Sequence, residues 1–128
     1  MTARLRARFG ERVQSKVSCP RPEAMSLLRR SLFSLSPADR LGWGLIGDSW
    51  GSGTPVISAA EHYDLQADQN CLIARTPEEF VNAVIALQTE SSVWNRIVEG
   101  GHTSVGFHSV ERVSEILLQC LQEAAAKG

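Results

Sequence analysis

The chain has 128 residues, 43% of them hydrophobic and 21% charged, with a formal net charge of -1. That length fits one domain with a buried core, and the composition excludes a disordered polymer. No apolar run approaches the ~20 residues that cross a bilayer, and the opening MTARLRARFGERV lacks the apolar segment and small-residue cleavage site of a secretory signal, so the expected location is the cytoplasm.

Charge is unevenly spread: residues 1–30 carry eight Lys or Arg against two Glu, which is +6 and leaves -7 for the rest. Glu11 and Glu23 interrupt the basic residues and only Phe9 accompanies them as an aromatic, unlike the dense run of a phosphate-binding tail. Nucleic acid is therefore not an expected partner; such a role would rest on Arg4, Arg6 and Arg8. Leu5, Phe9, Val13 and Val17 recur every four residues, as in a helix, whereas Val13 to Val17 alternates as in a strand. Residues 1–20 are accordingly read as helical, loosely packed, or ending in a weak strand. After Pro20-Arg21-Pro22, the pattern predicts a short helix from Glu23 to Arg30 with Ala24, Leu27 and Leu28 facing inward.

From residue 31 onward, short apolar runs alternate with helix-period segments, the pattern of an α/β domain. Leu32 to Leu35, Thr54 to Ser58 and Cys71 to Ala74 read as strands, and their nearly continuous apolar character suits parallel strands covered on both faces. Thr76-Pro77-Glu78-Glu79 is a capping box that opens a helix. Phe80, Val84 and Leu87 lie on its apolar face, backed by Val81 and Ile85. A second helix carries Trp94, Ile97 and Val98 before Gly100-Gly101 weakens it. A third runs from about Ser109, where Val113, Ile116, Leu117, Cys120, Leu121 and Ala124 form a stripe that must pack on something; its alanine-rich end suggests fraying. The expected architecture is a partial Rossmann-like three-layer domain. It has a short parallel sheet of three or four strands flanked by helices, and its C-terminal helices are amphipathic.

Gly42-Trp43-Gly44-Leu45-Ile46-Gly47 spells G-x-G-x-x-G, and Glu61 stands 19 residues after Gly42. A dinucleotide site needs a strand directly before the first glycine and a full crossover helix after the last. The stretch Pro37 to Leu41 intervenes before the glycines, and only Asp48 to Gly53 remain before the next strand, so that reading is set aside. Gly47-Asp48-Ser49-Trp50-Gly51 has the letters of a nucleophile elbow, but that turn must follow a strand. A hydrolase would need Ser49 with Asp64 or Asp68 and His102 or His108. His62, His102 and His108 lack the i,i+4 spacing of a metal helix and read as surface or cap residues. Cys19, Cys71 and Cys120 lack CxxC spacing and read as reduced thiols; no metal is implied.

The order of motifs resembles another family. Phe9-Gly10-Glu11-Arg12-Val13, then Pro22-Glu23 and Leu27-Leu28, is similar to a G-x-x-x-V strand and E-E-L-x-x-L-Y helix. Gly53-Thr54-Pro55-Val56-Ile57 matches G-T-P-V-I, and Asp68 to Ala74 resembles D-G-x-N-G-L-L-V. Thr76 to Phe80 resembles D-P-E-E-F, and Phe107 to Arg112 a closing F-S-W-E-x helix. Together, over roughly residues 5–123, these resemble the C-terminal, donor-binding domain of GT-B fold glycosyltransferases, the glycosyl transferases group 1.

The resemblance implies a nucleotide-diphospho-sugar as donor ligand, a retaining mechanism in the whole enzyme, and no separate cofactor. In that family the second carboxylate of a Glu–seven residues–Glu motif sits at the start of a short helix and accepts from the ribose hydroxyls; Asp48 occupies that position. At the first carboxylate position stands Arg40, with Asp39 one residue out of register. The resemblance places Gly42, Trp43, Gly44, Gly47 and Thr54 around the donor, with Trp43 or Trp50 lining a base or sugar surface unless Trp50 is a core anchor. It also implies a truncated domain, 1–128, which is not catalytic alone. Such a half-domain is expected to self-associate or to pair with a complementary N-terminal chain through an exposed sheet edge.

Overall fold

The computed structural model describes residues 2–12, 14, 18–36, 43–61 and 64–128. It is an α/β fold in which a small parallel sheet is flanked by helices. Helix α1 (Thr2–Phe9) ends in a 3-10 turn over Gly10–Arg12, so the helical reading of the N-terminus holds there. Of Val13 to Val17, all but Gln14 lie outside the described residues. Helix α2 (Arg21–Arg29) starts on its proline but buries nothing, and Leu27, expected inward, is exposed.

Strand β1 (Ser34–Ser36) pairs in parallel with β2 (Val56–Ser58), and β2 with β3 (Leu72–Ile73), in the spatial order β1-β2-β3. Successive side chains of a strand point to opposite faces. Val56 therefore joins Ile46, Trp50, Leu65 and Cys71 on one face, while Ile57 joins Leu72, Ala83, Leu87 and Ile97 on the other. Helix α3 (Trp43–Gly51) covers the first face, and helix α4 (Pro77–Thr89) the second. Helix α5 (Ser91–Gly106) serves both, sending Ile97 into the second cluster and Val105 against the first.

Local chemistry explains the helix starts. Thr76 Oγ1 accepts from the Glu79 N–H at 3.2 Å, and Glu79 accepts from the Arg75 N–H at 2.6 Å, one residue earlier than a strict capping box. Ser109 caps helix α6 (Val110–Lys127) by accepting from the Arg112 N–H. On α4, Ala83 is buried with Leu87, while Val81 and Ile85 stay about half exposed.

Three sequence expectations are corrected. Gly44 and Gly47 lie inside α3, not in a glycine loop, because Ile46 and Trp50 fall one turn apart on a face that buries both. Gly100 and Gly101 do not end α5. A Cβ on Gly100 would stand 1.9 Å from the Gln69 carbonyl oxygen, and one on Gly101 would stand 2.5 Å from Trp50 Cδ1, so hydrogen at both positions lets the helix approach its neighbours. The stripe on α6 does not pack on this domain: none of its residues is buried, and the helix continues through Ala124 to Ala126, alanine being the strongest helix former.

Gly100→Ala and Gly101→Ala are each predicted to destabilise the fold by about 1–3 kcal/mol, Gly100→Ala more because a backbone oxygen must yield. Gly44→Ala, with nothing within 4 Å of the new methyl, should be neutral or stabilise by up to about 1 kcal/mol. Urea titrations followed by far-UV circular dichroism measure all three.

Candidate functional site

Among the described residues, the crossing from β2 to β3 contains no helix. It is a loop whose polar groups are tied down by one buried side chain, Asn70, which is 3% exposed. Asn70 Oδ1 accepts from the Gln66 N–H at 2.7 Å, and its Nδ2 donates to the Asp64 carbonyl and to Ser104 Oγ, both at 2.8 Å. Its carbonyl accepts from the Trp50 indole N–H at 3.0 Å. Asp68 sits at φ 60°, a left-handed conformation that Asp tolerates better than most residues, and its carbonyl accepts from Arg96 Nε at 2.9 Å.

This loop and α5 wall a groove of about 510 Å³ lined by Asp64, Gln66, Gln69, Asn70, Gly100, Thr103, Ser104, Phe107 and His108. At one end, His108 Nε2 lies 2.6 Å from Asp64 Oδ2. The imidazole packs on Trp43, with ring centroids 4.1 Å apart, and Trp43 meets Trp50 edge-on at 5.6 Å. Asp64 follows β2 and Trp43 opens the helix that follows β1, whereas Gln69 and Asn70 directly precede β3, so the groove runs from the carboxyl side of the sheet toward the amino end of β3. The groove offers a carboxylate, carboxamides, hydroxyls and an exposed phenyl ring, a set that recognises a polar ring by hydrogen bonds and stacking. Asp64 and His108 also pair as a base and its orienting carboxylate would.

Of the residues named for the donor, those that are described do not converge on this groove. Asp48 is the sixth residue of α3, in the half that leads into β2, not at a helix start. Both its oxygens are held by Arg21: Nη2 donates at 2.7 Å and Nη1 at 3.0 Å. Asp48 instead borders a mainly apolar groove between α2 and α3 with Leu27, Leu28, Leu45 and Cys19. Thr54 is buried, and its hydroxyl donates to the Leu28 carbonyl at 2.6 Å. Trp50 is a core anchor at 2% exposure. Gly44 faces open space, Gly47 lies beside the Trp43 indole, and among the described residues named for the donor only Trp43 reaches the groove, through His108. Asp39, Arg40, Gly42 and His62 lie outside the described residues.

Ser49 is fully buried; its hydroxyl donates to the Leu45 carbonyl and accepts from Ser34 Oγ, so it is not an accessible nucleophile. Its proposed partners Asp64 and His108 do meet, but in the groove. Among the described residues, no cluster of three His, Cys, Asp or Glu is arranged to hold a metal, and no helix is long and apolar enough to cross a membrane. Gln66, Gln69 and Thr103 escape the sequence reading. The available signal is that Gly100, Thr103, Ser104 and Phe107, at i, i+3, i+4 and i+7, share one helix face.

Comparison of the chain with protein-family models, with curated proteins and with solved structures finds no match in any of the three.

Burial beneath this loop raises the Cys71 thiol from 9.0 to about 12, with help from the Glu61 and Asp68 charges. The folded state therefore holds a proton that the unfolded chain releases, so this contribution to stability is intact below pH 9 and is lost as pH rises from 9 toward 12. Cys71→Ala should flatten the alkaline fall in stability, which for one group is at most about 1.4 kcal/mol per pH unit. Urea midpoints between pH 8 and 10.5 read the difference. In the folded chain a thiol reagent should leave Cys71 untouched, and urea should expose it to labelling.

Proposed function

We propose that this chain is a glycosyltransferase-like, nucleotide-sugar-binding half-domain that does not complete transfer alone, and that its ligand lies in the groove between the β2 to β3 loop and α5. The observation that supports this most is the groove itself, a polar cleft of about 510 Å³ walled by the β2 to β3 loop and α5 and edged by the exposed ring of Phe107. Its chemistry agrees. Asp64 accepts from sugar hydroxyls, Gln66 and Gln69 donate and accept, and Phe107, 65% exposed, offers a flat apolar face to a pyranose ring. Transfer needs acceptor and donor held together across a cleft, and among the described residues β1 is an edge of the sheet, where a complementary chain would continue it.

Isothermal titration with UDP-, GDP- and ADP-sugars tests the reading. Binding of at least one is expected, weakened about tenfold or more, or 1.4 kcal/mol, by Asp64→Ala and by Phe107→Ala. Asp48→Ala is expected to change affinity less than either, since Arg21 already occupies that carboxylate. If Asp48→Ala alone abolishes binding, the ligand sits where the family resemblance puts it. A chain that takes up none of these sugars is left with the second reading, an interaction module. The observation favouring that reading is β1 itself, an edge strand among the described residues whose Leu35 is 49% exposed.

A further inference from the structure

Helix α6 is 18 residues long, and every side chain on it is solvent-accessible. Val110 is 78% exposed, Leu121 67%, Leu117 58%, Ile116 46% and Val113 43%. An isolated helix of this length is marginal in water and normally draws its stability from packing its apolar face. The exposed apolar area is on the order of 500 Å², near the top of what monomers leave uncovered.

We propose that α6 is a self-association element that pairs in parallel and in register with α6 of a second copy of this chain. Val110, Val113, Leu117, Cys120 and Ala124 follow one another in steps of three and four, the a and d seam of a two-stranded coiled coil. Charge is kept off that seam: Glu111, Arg112 and Glu115 occupy outer positions, and Arg112 pairs with Glu115 of its own helix at 3.3 Å. Ile116 and Leu121 flank the seam five residues apart, so in a parallel pair each Ile116 meets the partner helix at its Leu121 position. An antiparallel pair in the register that overlaps the full seam would set Ile116 against Glu123 and Leu121 against Ser114, losing both apolar contacts. Two copies together bury about 1,000 Å² of apolar surface, the threshold for a specific interface. The parallel register also sets the two Cys120 side chains, both exposed in the single chain, opposite each other at a d position. The pairing does not depend on whether a nucleotide sugar binds.

Light scattering coupled to size-exclusion chromatography, together with a short bismaleimide in a Cys19→Ser background, tests the proposal. The wild-type chain is expected at twice its 14.0 kDa mass. Leu117→Glu, on an exposed seam residue, should return it to the single mass with its secondary structure unchanged. Leu118→Glu, equally exposed but one position off the seam, should leave the pair intact. The bismaleimide should join two chains through Cys120, forming one thioether on each sulfur, and Cys120→Ser should abolish the product. A wild-type chain at single mass overturns self-association and leaves the stripe to a different protein. A pair that survives Leu117→Glu, or that Leu118→Glu breaks equally well, overturns the seam. A pair that does not cross-link at Cys120 overturns the parallel register.

Discussion

The contact on which this small fold depends is the Trp50 indole lying against Gly101. Trp50 is the largest fully buried side chain among the described residues; it lies between α3 and α5, and a methyl at residue 101 would clash with its ring. Its N–H is satisfied by the Asn70 carbonyl, so one side chain fixes a helix pair by shape and a loop by hydrogen bonding. Gly100 extends the arrangement by admitting the Gln69 carbonyl to within van der Waals range of α5. The groove walls are thus held at a set distance by a tryptophan and two glycines.

Polar burial follows the same economy. Ser34 and Ser49 bond each other, Thr54 bonds the end of α2, and Asn70 uses both ends of its amide. Buried polar atoms left unpaired would cost about 1–3 kcal/mol each, so these small hydroxyls and the amide specify where the loop and α2 attach. What the interior does not use is α6. It leaves the domain after its Ser109 cap with its apolar face uncovered, the observation from which self-association is proposed.

Much of the architecture was legible in the residues. The three apolar runs became the three parallel strands, with edges shifted by one or two residues, and Thr76 and Ser109 both cap helices. The misreading of α5 has one cause: glycine is a poor helix former by propensity, whereas at Gly100 and Gly101 its small size serves a tertiary contact that propensity alone does not encode. The site was less legible than the fold. Asp48 and Ser49 attracted attention through sequence patterns, yet one carries a guanidinium and the other is buried among hydroxyls. Asp64 and His108, 44 residues apart, meet only because α5 runs back along α3. No spacing rule announces such a pair.

The central claim, that the groove between the β2 to β3 loop and α5 is the ligand site, is tested most directly by amide and indole NMR shifts during titration with nucleotide sugars. The account predicts that the largest changes fall on Gln66, Gln69, Thr103, Ser104 and His108 and on the Trp43 indole, with Arg21, Leu28 and Asp48 undisturbed. Shifts centred on Asp48 and α2, or no shifts with any nucleotide sugar, would contradict it.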